Sequence, residues 1–158
     1  MDYVWSPWRY KYISAAAKQD GCVFCKIAGE NIDEQNYVLN RSKHNFIILN
    51  IFPYTCGHLM IVPYKHTSEL CLLEKEISDE MMDLLKHCQK VIFQEYRCNG
   101  INLGMNIGKA AGAGIVEHVH MHILPRWIGD ANFTTTIAET RILPEELTTT
   151  YARLKKYF

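Results

Sequence analysis

The chain has 158 residues, with 17 Lys plus Arg against 17 Asp plus Glu, 48% hydrophobic and 22% charged residues. That length and composition fit one ordinary globular domain able to bury roughly two-thirds of its unfolded surface. The formal net charge is zero, so no global field draws the chain to DNA or to an acidic membrane, and any phosphate recognition has to be local.

The opening stretch MDYVWSPWRYKYI is charged and aromatic throughout, unlike the apolar core of a signal peptide. No run of 18 apolar residues is present to span a bilayer. The expected setting is cytoplasmic, with no membrane and no nucleic-acid partner. Six cysteines are then expected as reduced thiols. Cys56, Cys71, Cys88 and Cys98 read as buried small hydrophobes.

In chain order, residues 1–20 read as an irregular aromatic arm or short helix, rich in Trp5, Trp8, Tyr10 and Tyr12. Residues 36–40 and 45–50 read as two strands joined by the polar turn Arg41–His44, and 58–63 as a third after a loop holding Pro53 and Gly57. A long helix is predicted over about 78–98, with Ser78 as N-cap and Asp79 and Glu80 at the positive dipole end. Its apolar stripe is Met81, Leu84, Leu85, Cys88, Val91, Ile92 and Tyr96, and Asn99-Gly100 is the expected stop. Two further strands are expected at 101–107 and 116–124, around the loop GKAAGAG. A last helix is predicted from Pro144, with Leu147, Tyr151, Leu154 and Phe158 on one face.

Most neighbouring strands lack an intervening helix, which favours an α+β domain on a five-stranded antiparallel sheet over a βαβ arrangement. With no linker-like stretch, the whole chain 1–158 reads as a single domain: arm 1–21, core 22–130 and C-terminal extension 131–158.

His118, His120 and His122 alternate with Val119, Met121 and Ile123. In a strand that spacing lines one face with imidazoles and the other with apolar groups. Three buried imidazoles would need many partners, so a cleft is the economical setting. Such a row suits metal binding or nucleophilic catalysis, because a neutral imidazole nitrogen attacks well near pH 7. The preceding GMNIGKAAGAG has four glycines in eleven residues, which lets backbone N–H groups approach an anion. Asn106 is placed to donate an amide hydrogen bond to a phosphoryl oxygen.

Cys22 and Cys25 have C-x-x-C spacing, as in half of a zinc site. A redox pair would instead call for a helix start in a parallel βαβ unit. Trp5, Trp8, Arg9 and Trp127 are candidates to cover a base, and Lys65, Lys109, Arg126 and Arg141 to contact outer phosphates.

HVHMHILPRW resembles the His-x-His-x-His signature of the histidine triad (HIT) superfamily, and GHLMIVPYKHT its upstream Gly-His stretch. WSPWR and NIGKAAGAG…PRW are similar to bacterial diadenosine tetraphosphate phosphorylase-type proteins, within a superfamily that includes fragile histidine triad-like hydrolases. The resemblance implies attack of His120 on the α-phosphorus of a dinucleoside polyphosphate, forming a nucleotidyl-histidine resolved by water or phosphate, with no Mg²⁺ requirement. It implies catalytic roles for His120, His122, His58 and His118, and nucleotide contacts from Asn106, Asn50 (toward ribose), Gly112 and Gly114. It further implies a structural zinc on Cys22, Cys25, His66 and His118, and a homodimer with a ten-stranded sheet. If zinc takes His118, only His120 and His122 face the chemistry. Many relatives carry Ser, Thr or Gln just before the triad, whereas Gly112-Ala113-Gly114-Ile115 offers only backbone N–H groups and room for a phosphate acceptor. Rival readings are a phosphoramidase cleaving AMP–amine bonds and a nucleotide-binding module without turnover.

Overall fold

The computed structural model describes residues 21–137, Leu143 and residues 145–158. The expectations for Trp5, Trp8, Arg9, Arg141, Pro144 and the rest of the N-terminal arm lie outside the described residues.

Five strands form one antiparallel sheet: β1 (Val38–Arg41), β2 (Asn45–Leu49), β3 (Leu59–Pro63), β4 (Gly100–Gly104) and β5 (Met121–Arg126), in the order β1-β2-β3-β5-β4. The α+β expectation is met. Helix α1 (Val23–Gly29) precedes β1, α2 (Lys75–Tyr96) joins β3 to β4, and α3 (Phe133–Thr136) and α4 (Leu147–Lys155) follow β5. Among the described residues no helix is long and apolar enough to cross a membrane.

β2 and β3 are buried along their whole length, so each reads as a continuous apolar run rather than an alternating one. Leu39, Ile47, Leu49, Leu59, Ile61 and Ile123 pack with Met81, Leu85, Cys88, Val91 and Ile92 of α2. Val38, Phe46, Ile48, Met60 and Val62 face the other way, against Phe24 of α1. In the ladder Met60 opposes His122, which puts that imidazole on the Phe24 face, away from α2. The two-sided burial therefore separates a helix-covered core from a face that carries imidazoles.

Several boundaries differ from expectation, each for a reason visible in the packing. α2 starts at Lys75 with Glu74 as N-cap, and Ser78 lies inside the helix with its hydroxyl on the Lys75 carbonyl at 2.9 Å. Ile77, four residues before Met81, extends the stripe by one turn. Glu76 occupies the first turn, while Glu80 accepts the N–H groups of Lys43 and His44 (3.1 and 2.8 Å) and the Asn45 amide (2.8 Å). That carboxylate clamps the β1–β2 turn to the helix. The helix stops at Arg97, left-handed at φ 46°, while Gly100 already opens β4. Asn99 donates to the Arg126 carbonyl at 2.9 Å, so the chain enters the sheet before the Asn-Gly pair can act as a stop. β4 ends at Gly104 and β5 begins at Met121, both shorter than predicted on the loop side. α4 starts at Leu147 and turns Leu147, Tyr151, Leu154 and Phe158 toward the core.

Helix α1 was not foreseen. Its C-terminal carbonyls are held by one guanidinium: Arg41 donates to the carbonyls of Ala28, Ile27 and Glu30 at 3.0, 3.0 and 2.7 Å, and pairs with Asp33 at 2.9 Å. A cation at a helix C-terminus complements the exposed carbonyls. Of the isolated cysteines, Cys88 and Cys98 are buried as expected, Cys56 is half-buried, and Cys71 is exposed in the 3₁₀ turn Leu70–Leu72. Burial pushes the Cys88 thiol up to about 12, consistent with an inert packing role.

Gly57 has φ 73°, and a Cβ there would lie 2.8 Å from Tyr96 Cε2 and 3.3 Å from Pro125 Cγ. Tyr96 is itself held, its hydroxyl on Glu145 at 2.9 Å and the Arg153 guanidinium 4.6 Å above its ring. Gly57→Ala should therefore cost roughly 1–3 kcal/mol from backbone strain plus crowding, read by urea unfolding. An unchanged midpoint would show that the loop before His58 relaxes freely.

Candidate active site and metal cluster

The imidazole row is only partly in the ladder. His122 lies in β5, whereas His118 and His120 precede it; there Val119 N–H donates to the Thr67 carbonyl at 2.7 Å instead of to β3. All three rings are nonetheless buried, and His58 joins them from the segment just before β3.

The ring nitrogens can be assigned one by one. The backbone N–H of Tyr54 donates to His58 Nδ1 at 3.1 Å, so that nitrogen is an acceptor. Asn50 Nδ2, 3.3 Å from the same nitrogen, is also a donor, and Asn50 Oδ1 accepts from Phe52 N–H at 2.9 Å. His58 Nε2 must then carry the proton, and it donates to His122 Nδ1 at 2.8 Å. That leaves the His122 proton on Nε2. His120 donates from Nδ1 to the His118 carbonyl at 2.8 Å, so its Nε2 bears the lone pair. Among the described residues neither of these two Nε2 atoms has a partner. The two histidines are 4% and 8% exposed.

Burial disfavours the charged form of all these rings. It lowers His120 against the opposing hydrogen bond to His118, and lowers His122 to about 4 with a smaller push from His120. His58 falls to about 3 through burial and the neighbouring His122 and His120. The row is neutral near pH 7, giving one lone pair on His120 and one N–H on His122. The rings of His120 and His122 meet edge-to-face with centroids 4.7 Å apart. An unprotonated nitrogen beside a donor is a pair suited to nucleophilic attack with a hydrogen bond to the developing negative charge.

His118 belongs to a second group. Cys22, Cys25, His66 and His118 place one ligand atom each within 4.8 Å of one another. Cys22 Sγ lies 3.2 Å from His118 Nδ1, Cys25 Sγ 3.2 Å from His66 Nδ1 and 3.7 Å from His118 Nδ1, and the two Nδ1 atoms are 3.3 Å apart. A tetrahedral zinc at its usual bond lengths sets S···N edges of about 3.6 Å and an N···N edge of about 3.3 Å. The residues fit that group. His118 Nε2 donates to the Pro63 carbonyl at 2.8 Å, which turns the Nδ1 lone pair toward the cluster and fixes the ring as metal-ligating histidines require. Cys22 is the N-cap of α1, so the helix start sought for a redox pair does exist. The two converging imidazoles nevertheless fit a metal better.

The remaining predicted residues scatter. Asn106 lies in the loop two residues beyond Gly104, the last residue of β4, which opposes His122. Gly112, left-handed at φ 86°, spends its N–H on the Lys109 carbonyl at 3.0 Å, and Gly114 is exposed. Arg126 is committed to Asp130 and Asn102, and Lys65 to Glu74 and the Leu72 carbonyl; Lys109 is exposed. Trp127 packs edge-on against Tyr96 at 6.2 Å, next to the core. Two contacts were missed. Tyr54 covers His58 and His122, with centroids at 4.7 and 5.9 Å, and Phe24 sits against His118 and His120. Phe24 lies inside the C-x-x-C span and had a sequence signal; Tyr54, in a loop, had none. A cavity of about 580 Å³ lies elsewhere, between Ser68–Cys71 and Ile107, Gly108 and Val116, and no imidazole lines it.

The sheet order and the buried imidazole row define a histidine triad protein, and a family model for the HIT domain matches residues 32–127. The chain belongs to the HIT family. It is 38% identical over 152 residues to a protein of Mycobacterium tuberculosis named AP-4-A phosphorylase, covering 91% of this chain and 77% of that one. An uncharacterized HIT-like protein of Methanocaldococcus jannaschii is 33% identical, covering 69% of this chain and 81% of its own. Among solved structures, a Zn-bound histidine triad family protein from Mycobacterium smegmatis superposes with a TM-score of 0.70 at 27% identity, covering 87% of this chain and 92% of that one.

Because burial depresses His58 and His122 below the ordinary 6.5, the unfolded chain takes up protons that the native rings refuse. Stability should be complete above about pH 6.5 and decline as pH falls toward 4 and then 3. The groups facing this pair are His120 and Tyr54, and His120 adds to the same slope. Melting scans from pH 7.5 to 5 should show the decline, and it should be shallower in His58→Gln. Parallel curves for the two proteins would assign the slope to other groups.

Proposed function

We propose that the chain transfers a nucleotidyl group from a dinucleoside polyphosphate through a covalent intermediate on His120. The observation that carries this reading is the His120 ring, neutral and tied at Nδ1, with Nε2 unpartnered beside the His122 donor. The relative named AP-4-A phosphorylase supports the substrate class.

In the first step His120 Nε2 forms a bond to the α-phosphorus, while the bond from phosphorus to the bridging oxygen of the departing nucleotide breaks. The departing nucleotide leaves with that oxygen as a phosphate anion. His122 Nε2–H donates a hydrogen bond to the oxygen as its charge grows, and His58 holds the His122 proton on Nε2 through the Nε2–Nδ1 hydrogen bond. In the second step water or inorganic phosphate attacks the same phosphorus, and the N–P bond breaks to restore the imidazole. Asn106 and the loop N–H groups other than those of Gly112 and Ala113, which are bonded to the carbonyls of Lys109 and Gly108, are the groups assigned to the phosphate oxygens, where charge grows in the transition state. Asn50 is assigned to orient His58, since its amide is already engaged there. Its expected ribose contact would have to share the Oδ1 that holds Phe52 N–H. With Gly112-Ala113-Gly114 carrying no side-chain donor, the loop leaves space for phosphate as the acceptor.

His120→Asn should lower kcat by on the order of 10³-fold or more and abolish a protein-bound phosphorus label that survives base and is lost in acid. Full activity in that variant overturns the mechanism. With diadenosine tetraphosphate, ADP plus ATP in the presence of phosphate identifies phosphorolysis, and AMP plus ATP identifies hydrolysis. Turnover of neither kind rejects the substrate class.

The reading includes one zinc per chain on Cys22, Cys25, His66 and His118, whose contribution is a cross-link between α1, the end of β3 and the triad segment. It also includes a homodimer through β4, an edge strand bearing exposed Leu103. Native mass spectrometry should give two 18.3 kDa chains with two zinc ions, and chelation should lower the melting temperature. Freshly purified protein without zinc overturns the first assignment, and a monomer at micromolar concentration overturns the second.

A further inference from the structure

We propose that Phe24 is a positioning residue for His120, transmitting the arrangement of the Cys22–Cys25–His66–His118 cluster to the ring read above as the nucleophile. The inference rests on that reading only for its kinetic consequence.

Phe24 sits between the two cysteines, in the first turn of α1, and is 2% exposed. Its ring meets His118 edge-on at 5.4 Å and 80°, and meets His120 at 5.1 Å and 61°. Phe46 backs it at 6.5 Å and 73°. One ring therefore touches both a residue of the cluster and the histidine two positions further on.

The His120 imidazole has a single hydrogen bond, from Nδ1 to the His118 carbonyl. One such bond fixes the tautomer only while the ring stays in line with the carbonyl, and by itself it does not keep the ring there. Lateral limits come from the neighbours: His122 at 4.7 Å and 71° on one contact, Phe24 on another. Of the three constraints on His120, two originate in the cluster, namely the backbone of His118 and the residue enclosed by Cys22 and Cys25. Because Cys22 and Cys25 begin α1 and Arg41 holds its other end, Phe24 has little freedom once the cluster is closed. Loosening the cluster would let Phe24 retreat and the His120 ring turn, moving Nε2 off the line to phosphorus. Displacements on the scale of 1 Å cost about a hundredfold in rate at a reacting centre.

A filler of the apolar layer formed by Val38, Phe46, Ile48, Met60 and Val62 would behave differently when replaced. Phe24→Leu and Phe24→Met keep an apolar side chain without the aromatic edge, and Phe24→Tyr keeps the edge. The experiment combines ¹⁵N NMR of the histidine rings with steady-state kinetics and metal analysis on the full chain. In Phe24→Leu the His120 nitrogens should lose the single-tautomer signature of an Nδ1–H ring, while His58 and His122 keep theirs. Zinc content should be retained, kcat should fall about tenfold and KM stay within about twofold. Phe24→Tyr should restore the His120 signals, and chelating the metal from the wild-type chain should reproduce the Phe24→Leu signals at His120.

If Phe24→Leu does not fold, Phe24→Met takes its place with the same outcomes. Unchanged His120 signals overturn the proposal, as does a loss of activity that only follows loss of zinc or of folded protein. Should His120→Asn remain active, the nucleophile assignment fails while the NMR comparison still decides whether Phe24 sets the ring.

Discussion

A ring nitrogen buried in protein has to find a hydrogen-bond partner or remain in touch with water, and four imidazoles lie together on one face of this sheet under that rule. His58, His118, His120 and His122 have eight ring nitrogens between them. Two backbone N–H or amide donors, two backbone carbonyls and one imidazole-to-imidazole bond account for most of them. Tyr54 N–H sets the His58 tautomer and His58 sets that of His122, while the carbonyls of His118 and Pro63 set His120 and His118. What is left over is a lone pair on His120, a proton on His122 and a lone pair on His118. The first two are assigned above to phosphorus chemistry and the third to metal. On the proposed assignment, hydrogen bonding separates two uses of the same residue type over a span of five residues.

The rest of the fold holds this arrangement from behind. β2 and β3, buried on both faces, place Met60 against His122 and carry His58 at the head of β3. Gly57 allows the chain to pass under Tyr96 immediately before His58, and Tyr96 is braced by Glu145 and Arg153. Arg41 holds α1 by its last carbonyls, so the helix that starts with Cys22 points Phe24 at the triad. Clamps of this kind join residues far apart in the chain: Arg41 to Ala28, Glu80 to His44, Arg153 to Glu95. They convert a sheet with two apolar layers into a scaffold with fixed side-chain directions.

The long helix, the strand runs around Phe46 and Ile61 and the triad itself were legible because each repeats at the period of its element. Boundaries were less legible. Ser78 reads as a cap by residue type, but Glu80 was needed by the β1–β2 turn, and the helix grew one turn earlier to include Ile77. Asn99-Gly100 reads as a stop, yet the sheet took up Asn99 first. Helix α1 is only seven residues long and its stability comes from Arg41, which is eleven to fourteen residues away from the carbonyls it holds. No local pattern reports such a partner. Tyr54 and the buried setting of Asn50 were hidden for the same reason, because both depend on where the loop returns in space.

Spacing alone was enough to expect that alternating histidines share a face, although only His122 lies in the strand, that two cysteines three apart can meet one ion, and that the α2 stripe needs a sheet to cover it. Those expectations are local, set by backbone geometry within a few residues. Which histidine leaves the row to join the cysteines, which ring pairs with His122 and that Phe24 presses on His120 are settled by contacts across 41 to 96 residues of chain, whereas the free nitrogen of His120 follows from a carbonyl two residues away. Such contacts exist only once the sheet has closed, since burial is what makes a hydrogen-bond choice binding.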